Sequence, residues 1–238
     1  MPVIYTAMKK ILTLLLLFYA GFTFGQETVQ RSNSLTSFIT ETFGVLKADK
    51  NIREGEYTAK TSDQVLATGN YHNGKRVGNW VFFDKTGKAV QSYNYDTDEL
   101  KFNDTTDVKS AEYYFVDSLK TGDKVIYPVK IGGMFYGCAP FLYNELDLSR
   151  TIIREMGGPD EVTCRHIFTI NDKGDLVKHE VLAIANGTSK LYELNDSRFN
   201  DEFKRFTPAM INRHPVASKM IVTSILNFSK VVSRSYIR

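Results

Sequence analysis

The stretch Cys164–Leu182, CRHIFTINDKGDLVKHEVL, decides the fold of this chain. Apolar and polar residues alternate up to a polar turn at Asn171–Gly174, and the alternation resumes from Leu176. A period of two on both sides of a Gly-containing turn is typical of a β-hairpin with one buried face. The sequence therefore predicts a central hairpin that needs a further layer of structure to cover that face.

Two helices are predicted to supply this cover. The first begins at about Ala139, because the proline that follows is tolerated only in the first turn of a helix. The second covers Asn195–Arg205, because Phe199, Phe203 and Phe206 recur at the spacing of one helical face. Both helices would place apolar side chains against the hairpin.

Further strands are predicted on both sides of the hairpin. Ala111–Asp117 and Lys124–Ile131 are short alternating runs that precede it. Val216–Phe228, VASKMIVTSILNF, follows it and is long, apolar and rich in β-branched residues. We expect Val216–Phe228 to close the sheet as its edge strand.

Composition indicates a soluble, packed protein and excludes one class of partner. The chain has 238 residues, of which 42% are hydrophobic and 24% are charged, enough apolar surface for a sizeable core. The formal charge is +3, and Lys9 and Lys10 are the only charged residues before Gln26, which leaves 3 − 2 = +1. Because phosphate binding needs a concentrated basic surface, nucleic acid is not expected as a partner.

Residues 1–25 have the layout of a secretory signal peptide. A basic start at Met8–Lys10 precedes the apolar run Ile11–Phe24, and small residues lie near its end. The alternative is an uncleaved membrane anchor, but the run is shorter than the ~20 residues of a spanning helix. We expect cleavage, with the mature chain beginning at Gln26.

Residues 26–53 are predicted to be a lead-in segment with a short amphipathic helix over Leu35–Leu46. Residues 54–117 begin with short alternating runs separated by Asn73-Gly74 and Lys85–Gly87, which are strong hairpin signals. These runs predict an antiparallel β-meander. The acidic segment Thr97–Ser110 within this range is predicted to be a loop.

The run Gly69–Gly87, GNYHNGKRVGNWVFFDKTG, resembles the MORN-like repeat in its second variant. The match covers one repeat unit, and Gly55–Tyr57 resembles the start of a degenerate preceding copy. The strands would carry an aromatic row that forms either an exposed recognition surface or, as we expect, contacts packed within the sheet. This row consists of Tyr71, Trp80, Phe82 and Tyr93.

The order of elements over Met134–Phe228, which is helix, strand, turn, strand, helix, strand, resembles the TonB carboxy-terminal domain of secreted Bacteroidetes-type proteins. The motif FxIxDKG at Phe168–Gly174 and the run FTPAMINRHPV at Phe206–Val216 contribute to the resemblance. Phe206 stands where the family usually has Trp, and the Tyr-Pro pair that the family has after its first helix is missing. The resemblance assigns residues 124–229 to this domain.

This resemblance implies a non-enzymatic binding protein that is exported to the periplasm or outer envelope. The family binds an extended partner segment as an added strand along a sheet edge. The implied partner is a protein or peptide, either an outer-membrane protein or a second copy of the chain, with no cofactor or small-molecule substrate. The implied partner-binding residues are Val216, Ser218, Met220, Val222, Ser224, Leu226 and Phe228.

An alternative role is a membrane-anchored component that couples energy to outer-membrane transport. That role requires a retained anchor and a long Pro-rich spacer, whereas this chain has six Pro. The whole sequence therefore predicts an α+β protein, in which an N-terminal antiparallel meander of MORN-like hairpins precedes a small TonB-like antiparallel sheet backed by two helices.

Cysteine and histidine chemistry offers a third alternative. Cys138 and Cys164 are the only cysteines, and they either form a disulfide in an oxidising compartment or are two small buried residues. Cys164 and His166 lie on one face of a strand, as a nucleophile pair or half of a metal site would require. Since Phe168 shares that face, we expect a buried histidine, no catalytic residue and no metal site.

Overall fold

The computed structural model describes residues 27–104, 111–115, 118–143, 146–158, 160–197, 199 and 201–228. The predicted signal peptide, residues 1–25, lies outside the described residues. No helix within the described residues is long and apolar enough to cross a membrane. The strands pair antiparallel throughout and helices are few, in keeping with the predicted α+β class.

Seven strands form an N-terminal meander in which each strand pairs with the next along the chain. The predicted Asn73-Gly74 turn is confirmed, since both residues have positive φ (49° and 78°), which Gly and Asn adopt most readily. The strands are β1 (Thr28–Ser34), β2 (Thr40–Leu46), β3 (Arg53–Lys60), β4 (Val65–His72), β5 (Lys75–Phe83), β6 (Ala89–Asn94) and β7 (Glu99–Asn103).

The meander begins earlier than predicted and ends earlier, at Asn103, because Ala111–Phe115 pairs in the C-terminal sheet. The helix expected over Leu35–Leu46 is wrong, because a turn capped by Thr36, whose Oγ1 accepts from Ile39 N–H, separates Leu35 from β2. The apolar residues of β2 alternate along a strand, and Gly44 lets the Glu54 carbonyl approach closely. The acidic loop predicted after β6 contains β7, although residues 105–110 lie outside the described part.

The C-terminal part contains a five-stranded antiparallel sheet of order β13-β12-β11-β17-β8, together with two small sheets. The predicted central hairpin is confirmed as β11 and β12. The strands are β8 (Ala111–Phe115), β9 (Val125–Ile126), β10 (Val129–Lys130), β11 (Glu161–Ile170), β12 (Leu176–Ala185), β13 (Thr188–Glu193), β14 (Phe206–Thr207), β15 (Ala209–Ile211), β16 (His214–Val216) and β17 (Ser218–Asn227).

The predicted strand Lys124–Ile131 is two short strands, β9 and β10. Pro128 lies between them, and proline has no N–H to continue a ladder. These strands join different sheets, since β9 pairs with β15 and β10 pairs with β14.

Helical structure lies between β10 and β11. A single π-helical turn, Gly133–Gly137, leads into α1 (Cys138–Tyr143), and α2 (Leu146–Glu155) follows. The first predicted helix is confirmed near its expected start at Ala139.

The second predicted helix, Asn195–Arg205, is wrong. The described part of that segment has only a 3₁₀ turn at Asp201–Lys204. Phe199, Phe203 and Phe206 are nevertheless buried, but they reach the core from an irregular segment and a short strand. The helical spacing of the three phenylalanines correctly predicted that their side chains are buried, but it wrongly predicted a helical backbone.

One hydrophobic cluster runs through both parts of the protein. It joins meander side chains such as Tyr57 and Trp80 to Tyr136 of the π-helical turn and to Phe168 of β11. A second, smaller cluster packs Ile152 of α2 against the other end of the β11–β12 hairpin. The meander and the C-terminal sheet therefore share one core rather than forming a sheet on a flexible spacer.

We predict that Gly69→Ala destabilises the protein far more than Gly74→Ala. A Cβ at Gly69 would overlap the buried indole ring of Trp80, whereas a Cβ at Gly74 meets no atom within 4 Å. Overpacking at Gly69 is expected to lower the free energy of unfolding by about 3 kcal/mol. The positive φ at Gly74 is expected to cost only about 1 kcal/mol in the matched control. Urea unfolding measures both, and equal losses would contradict the packing described.

Candidate functional site

The prediction that Val216–Phe228 is the edge strand of the sheet is wrong, because β17 lies between β11 and β8. One side of β17 pairs with all of β11. The other side pairs with β8 over Ser218–Val222, so the first half of β17 lies inside the sheet. The pairing between Val222 and Ala111 is the last one within the described residues, since residues 105–110 lie outside them.

Most side chains of the predicted partner-binding set face the core. Ser218, Met220, Val222 and Phe228 are buried, Ser224 and Leu226 are half-buried, and Val216 belongs to β16. Alternation along a strand explains this, since all of the even-numbered members lie on the face that the helices cover. A partner cannot read these buried side chains without opening the core.

The second half of β17 has backbone groups that point out of the sheet. Phe228 N–H donates to the Asp160 carbonyl, one position before β11, at 2.9 Å, and β17 pairs with β11 without a register shift. Because hydrogen-bonding direction alternates along an antiparallel strand, every second residue counted from Phe228 faces β11. Thr223 and Ile225 therefore face the opposite side, where no strand of the described residues pairs with them. We call the segment Thr223–Ile225 the open step.

The predicted aromatic row is packing and not an exposed surface. Tyr71, Trp80, Phe82 and Tyr93 are all buried. The Trp80 ring lies 5.4 Å from the Tyr71 ring at 86° and 6.3 Å from the Phe82 ring. Edge-to-face contacts of this kind stabilise a core beyond the area that they bury.

The row surrounds a buried ionic contact between the meander and the C-terminal part. The guanidinium of Arg76 lies 4.3 Å from the Trp80 ring centroid, and its Nε is 3.0 Å from Glu202 Oε2. Arg76 also donates to the hydroxyl groups of Tyr95, at 2.8 Å, and Tyr136, at 3.3 Å. We call these four partners and Arg76 the Arg76 junction; its members are Arg76, Trp80, Tyr95, Tyr136 and Glu202.

Burial at this junction changes the titration of its phenols. Burial raises the pKa of Tyr136 above its ordinary value, so the phenol keeps its proton at neutral pH. The Tyr136 and Tyr57 hydroxyls lie 2.8 Å apart, and Tyr57 donates to Glu41 at 3.0 Å. The polar groups at the centre of the shared core are thereby hydrogen-bonded.

Cys138 and Cys164 are both buried, and they do not form the disulfide that was considered. Burial raises the pKa of the Cys138 thiol to about 11, which keeps it protonated at neutral pH. Because the thiolate is the nucleophilic form, Cys138 is inert under these conditions. Cys164 faces the second hydrophobic cluster.

His166 is buried, as predicted, and lies in a hydrogen-bonded chain that the sequence did not reveal. Its Nε2 lies 3.2 Å from Ser224 Oγ, and its Nδ1 lies 3.1 Å from His179 Nε2. His179 Nδ1 lies 3.0 Å from Asp196 Oδ2. The four residues come from three neighbouring strands and the segment after β13, so the only sequence signal was alternation on strands of unknown order. We call Ser224, His166, His179 and Asp196 the polar relay.

The relay is linear and does not converge on one point. Among the described residues, no group of three or more His, Cys, Asp or Glu side chains is arranged to hold a metal ion.

Comparison with known proteins finds no match. No family model, curated protein or solved structure matches the chain. The MORN-like and TonB-like resemblances remain predictions from sequence motifs.

We predict that Glu202→Gln destabilises the protein because it leaves the Arg76 charge buried without its counter-ion. The Glu202 side chain is 24% exposed, so solvent offsets part of the loss, and we expect about 2 kcal/mol. Asp201→Asn, one residue earlier on the same turn, is the matched control, because its side chain is 99% exposed. We expect near wild-type stability for this control in thermal and urea unfolding. Equal effects of the two substitutions would count against the junction.

Proposed function

We propose that this chain is an exported, non-enzymatic binding protein that takes an extended segment of a protein partner as an added strand at the open step. The observation that carries the proposal is the outward direction of the backbone groups of Thr223 and Ile225 beyond the end of β8. Strand addition uses such groups for affinity and neighbouring side chains for selectivity. The motif resemblance to the TonB carboxy-terminal domain supports the same mode of binding.

The affinity of such a contact is limited by the number of backbone groups that have no strand partner among the described residues. Thr223 and Ile225 offer two N–H donors and two C=O acceptors, and each hydrogen bond contributes about 1 kcal/mol. Covering the Ile225 side chain, which is 62% exposed, adds about 1 to 2 kcal/mol. Because association itself costs at least about 4 kcal/mol, a segment bound only here is held weakly. We therefore expect the partner to contact the surrounding surface as well.

The partner segment that fits is an extended peptide with an apolar side chain opposite Ile225. Ile225 lies on the exposed face of the sheet, while Ser224, between the two open residues, points to the helix-covered face. A segment with alternating apolar and small residues would place an apolar side chain beside Ile225 and a small side chain beside Ser224. The meander shares its core with this sheet and so serves as a rigid platform.

Export is part of the proposal and has its own test. The basic, apolar and small-residue pattern of residues 1–25 supports a cleaved leader. Cell fractionation and N-terminal sequencing are expected to give a mature chain that begins near Gln26 and is released by osmotic shock. A full-length chain in the membrane fraction would favour the anchored, energy-coupling alternative.

We predict that Thr223→Pro weakens peptide binding without unfolding the sheet. The Thr223 N–H points to the open side, so proline removes a binding donor but no hydrogen bond to β11. Peptides selected from a random display library on the wild-type protein are expected to bind the variant at least about tenfold more weakly in calorimetry.

Thr223→Val is the matched control, because it keeps the N–H and the shape of the side chain. Its peptide affinity is expected to match that of the wild type, and urea unfolding verifies that both variants are folded. Undiminished peptide binding by a folded Thr223→Pro variant would exclude strand addition at this site.

A further inference from the structure

The segment Asp201–Thr207 contacts both parts of the protein, and we call it the strap. Glu202 forms an ion pair with Arg76 of the meander at 3.0 Å. Arg205 Nη2 donates to both carboxylate oxygens of Asp98, in the turn between β6 and β7, at 3.1 Å. The strap also contains β14, which pairs with β10 of the C-terminal part. It therefore fastens the meander to the C-terminal part.

Lys130, on β10, is covered by the strap and is 2% exposed. Its Nζ donates to three backbone carbonyls, that of Phe203 at 2.7 Å and those of Ile131 and Arg205 at 3.1 Å each. Nζ also lies 4.9 Å from the ring centroid of Phe206. Because two of the three carbonyls and this ring belong to the strap, Lys130 is expected to reach water when the strap lifts.

Lys130 is a buried amine whose three hydrogen-bond acceptors carry no charge. An ammonium group has three N–H donors, which match the three carbonyls, whereas a neutral amine has two. Burial lowers the pKa of Lys130 to about 7, the Cys138 thiol opposes this shift, and the charge of Arg76 adds to it. Further charged or titratable side chains belong to the strap or line the small cavity beside Lys130, and these are Asp104, Tyr113, Asp201, Glu202, Lys204 and Arg205.

We propose that the strap is a proton-controlled latch, which opens more readily when Lys130 is charged because opening lets the ammonium group reach water. An exposed lysine has an ordinary pKa of 10.5, well above the pKa of about 7 in the closed state. Between these two values opening takes up a proton, so raising the pH stabilises the closed strap. At pH values below the lower one, Lys130 is protonated in both states and the dependence ends.

Opening of the strap changes the contact between the two parts of the protein. It moves Glu202 away from Arg76 and so loosens the Arg76 junction. Local opening of this kind leaves the rest of the structure folded. The meander is therefore held less rigidly as the pH falls toward the pKa of Lys130. This latch uses other residues than the open step, so it is independent of strand addition.

Amide hydrogen exchange at about pH 6 and about pH 8, in the wild type and in Lys130→Met, tests the latch. The reporters are Phe206 N–H, which donates to the Gly174 carbonyl, and Ile131 N–H, which donates to the Arg205 carbonyl. Their protection factors, corrected for the intrinsic exchange rate at each pH, are expected to rise about tenfold in the wild type from the lower to the higher pH. In Lys130→Met, which has a side chain of similar length and no charge, they are expected to stay constant.

The Tyr95 N–H of the meander, which donates to the Gly78 carbonyl, is the control for global unfolding. It is expected to be more strongly protected than the strap amides. Histidines titrate in both proteins, so the difference between the two isolates Lys130. Equal protection of Tyr95 and the strap amides would overturn the proposal, because the strap would then open only when the whole protein unfolds. A pH dependence that persists in Lys130→Met would overturn it as well.

A titration of the wild type decides the matter if Lys130→Met does not fold. The ¹⁵N chemical shift of Lys130 Nζ is expected to titrate with a midpoint of about 7. A midpoint above about pH 9 would show that the closed strap does not disfavour the ammonium group, and the latch would be excluded.

Discussion

The buried charge of Arg76 is the constraint on which the structure depends. An isolated guanidinium in a protein core is costly, so the surrounding residues must supply a counter-ion, hydrogen-bond acceptors and aromatic faces. The meander provides Trp80 and Tyr95, while the C-terminal part provides Tyr136 and Glu202. Because neither part can satisfy Arg76 alone, the junction requires the two sheets to assemble as one body.

This assembly determines what the C-terminal sheet can offer a partner. The meander and the helical segment cover one part of the core, and β8 returns to pair with the first half of β17. Within the described residues, the ten-residue strand β17 continues past the five-residue strand β8, and this difference in length defines the open step. β13 is the strand at the opposite edge of the five-stranded sheet, and it contains Lys190. A charged lysine on an edge strand discourages the addition of a further strand there.

Short sequence patterns predicted turns and hairpins correctly. They failed where contacts with residues distant in the sequence determine the structure. Alternation and Asn-Gly or Asp-Lys-Gly turns correctly located the meander hairpins and the central hairpin. Helical spacing misled at Leu35–Leu46 and Asn195–Arg205, because apolar residues there are buried by tertiary contacts from non-helical backbone. The position of β17 within the sheet depends on pairing with β8, about a hundred residues earlier, which no short pattern encodes. The polar relay was missed for the same reason, since strand order brings its members together.

Amide hydrogen exchange along β17 tests the central claim, the open step, most directly. In the protein without a partner, the N–H groups of Thr223 and Ile225 are expected to exchange quickly, because they point away from β11 to the side where no described strand pairs with them. Those of Ser224 and Leu226, which bond to β11, are expected to be protected. Strong and equal protection of all four amides would show that the flank is already occupied and would contradict the account.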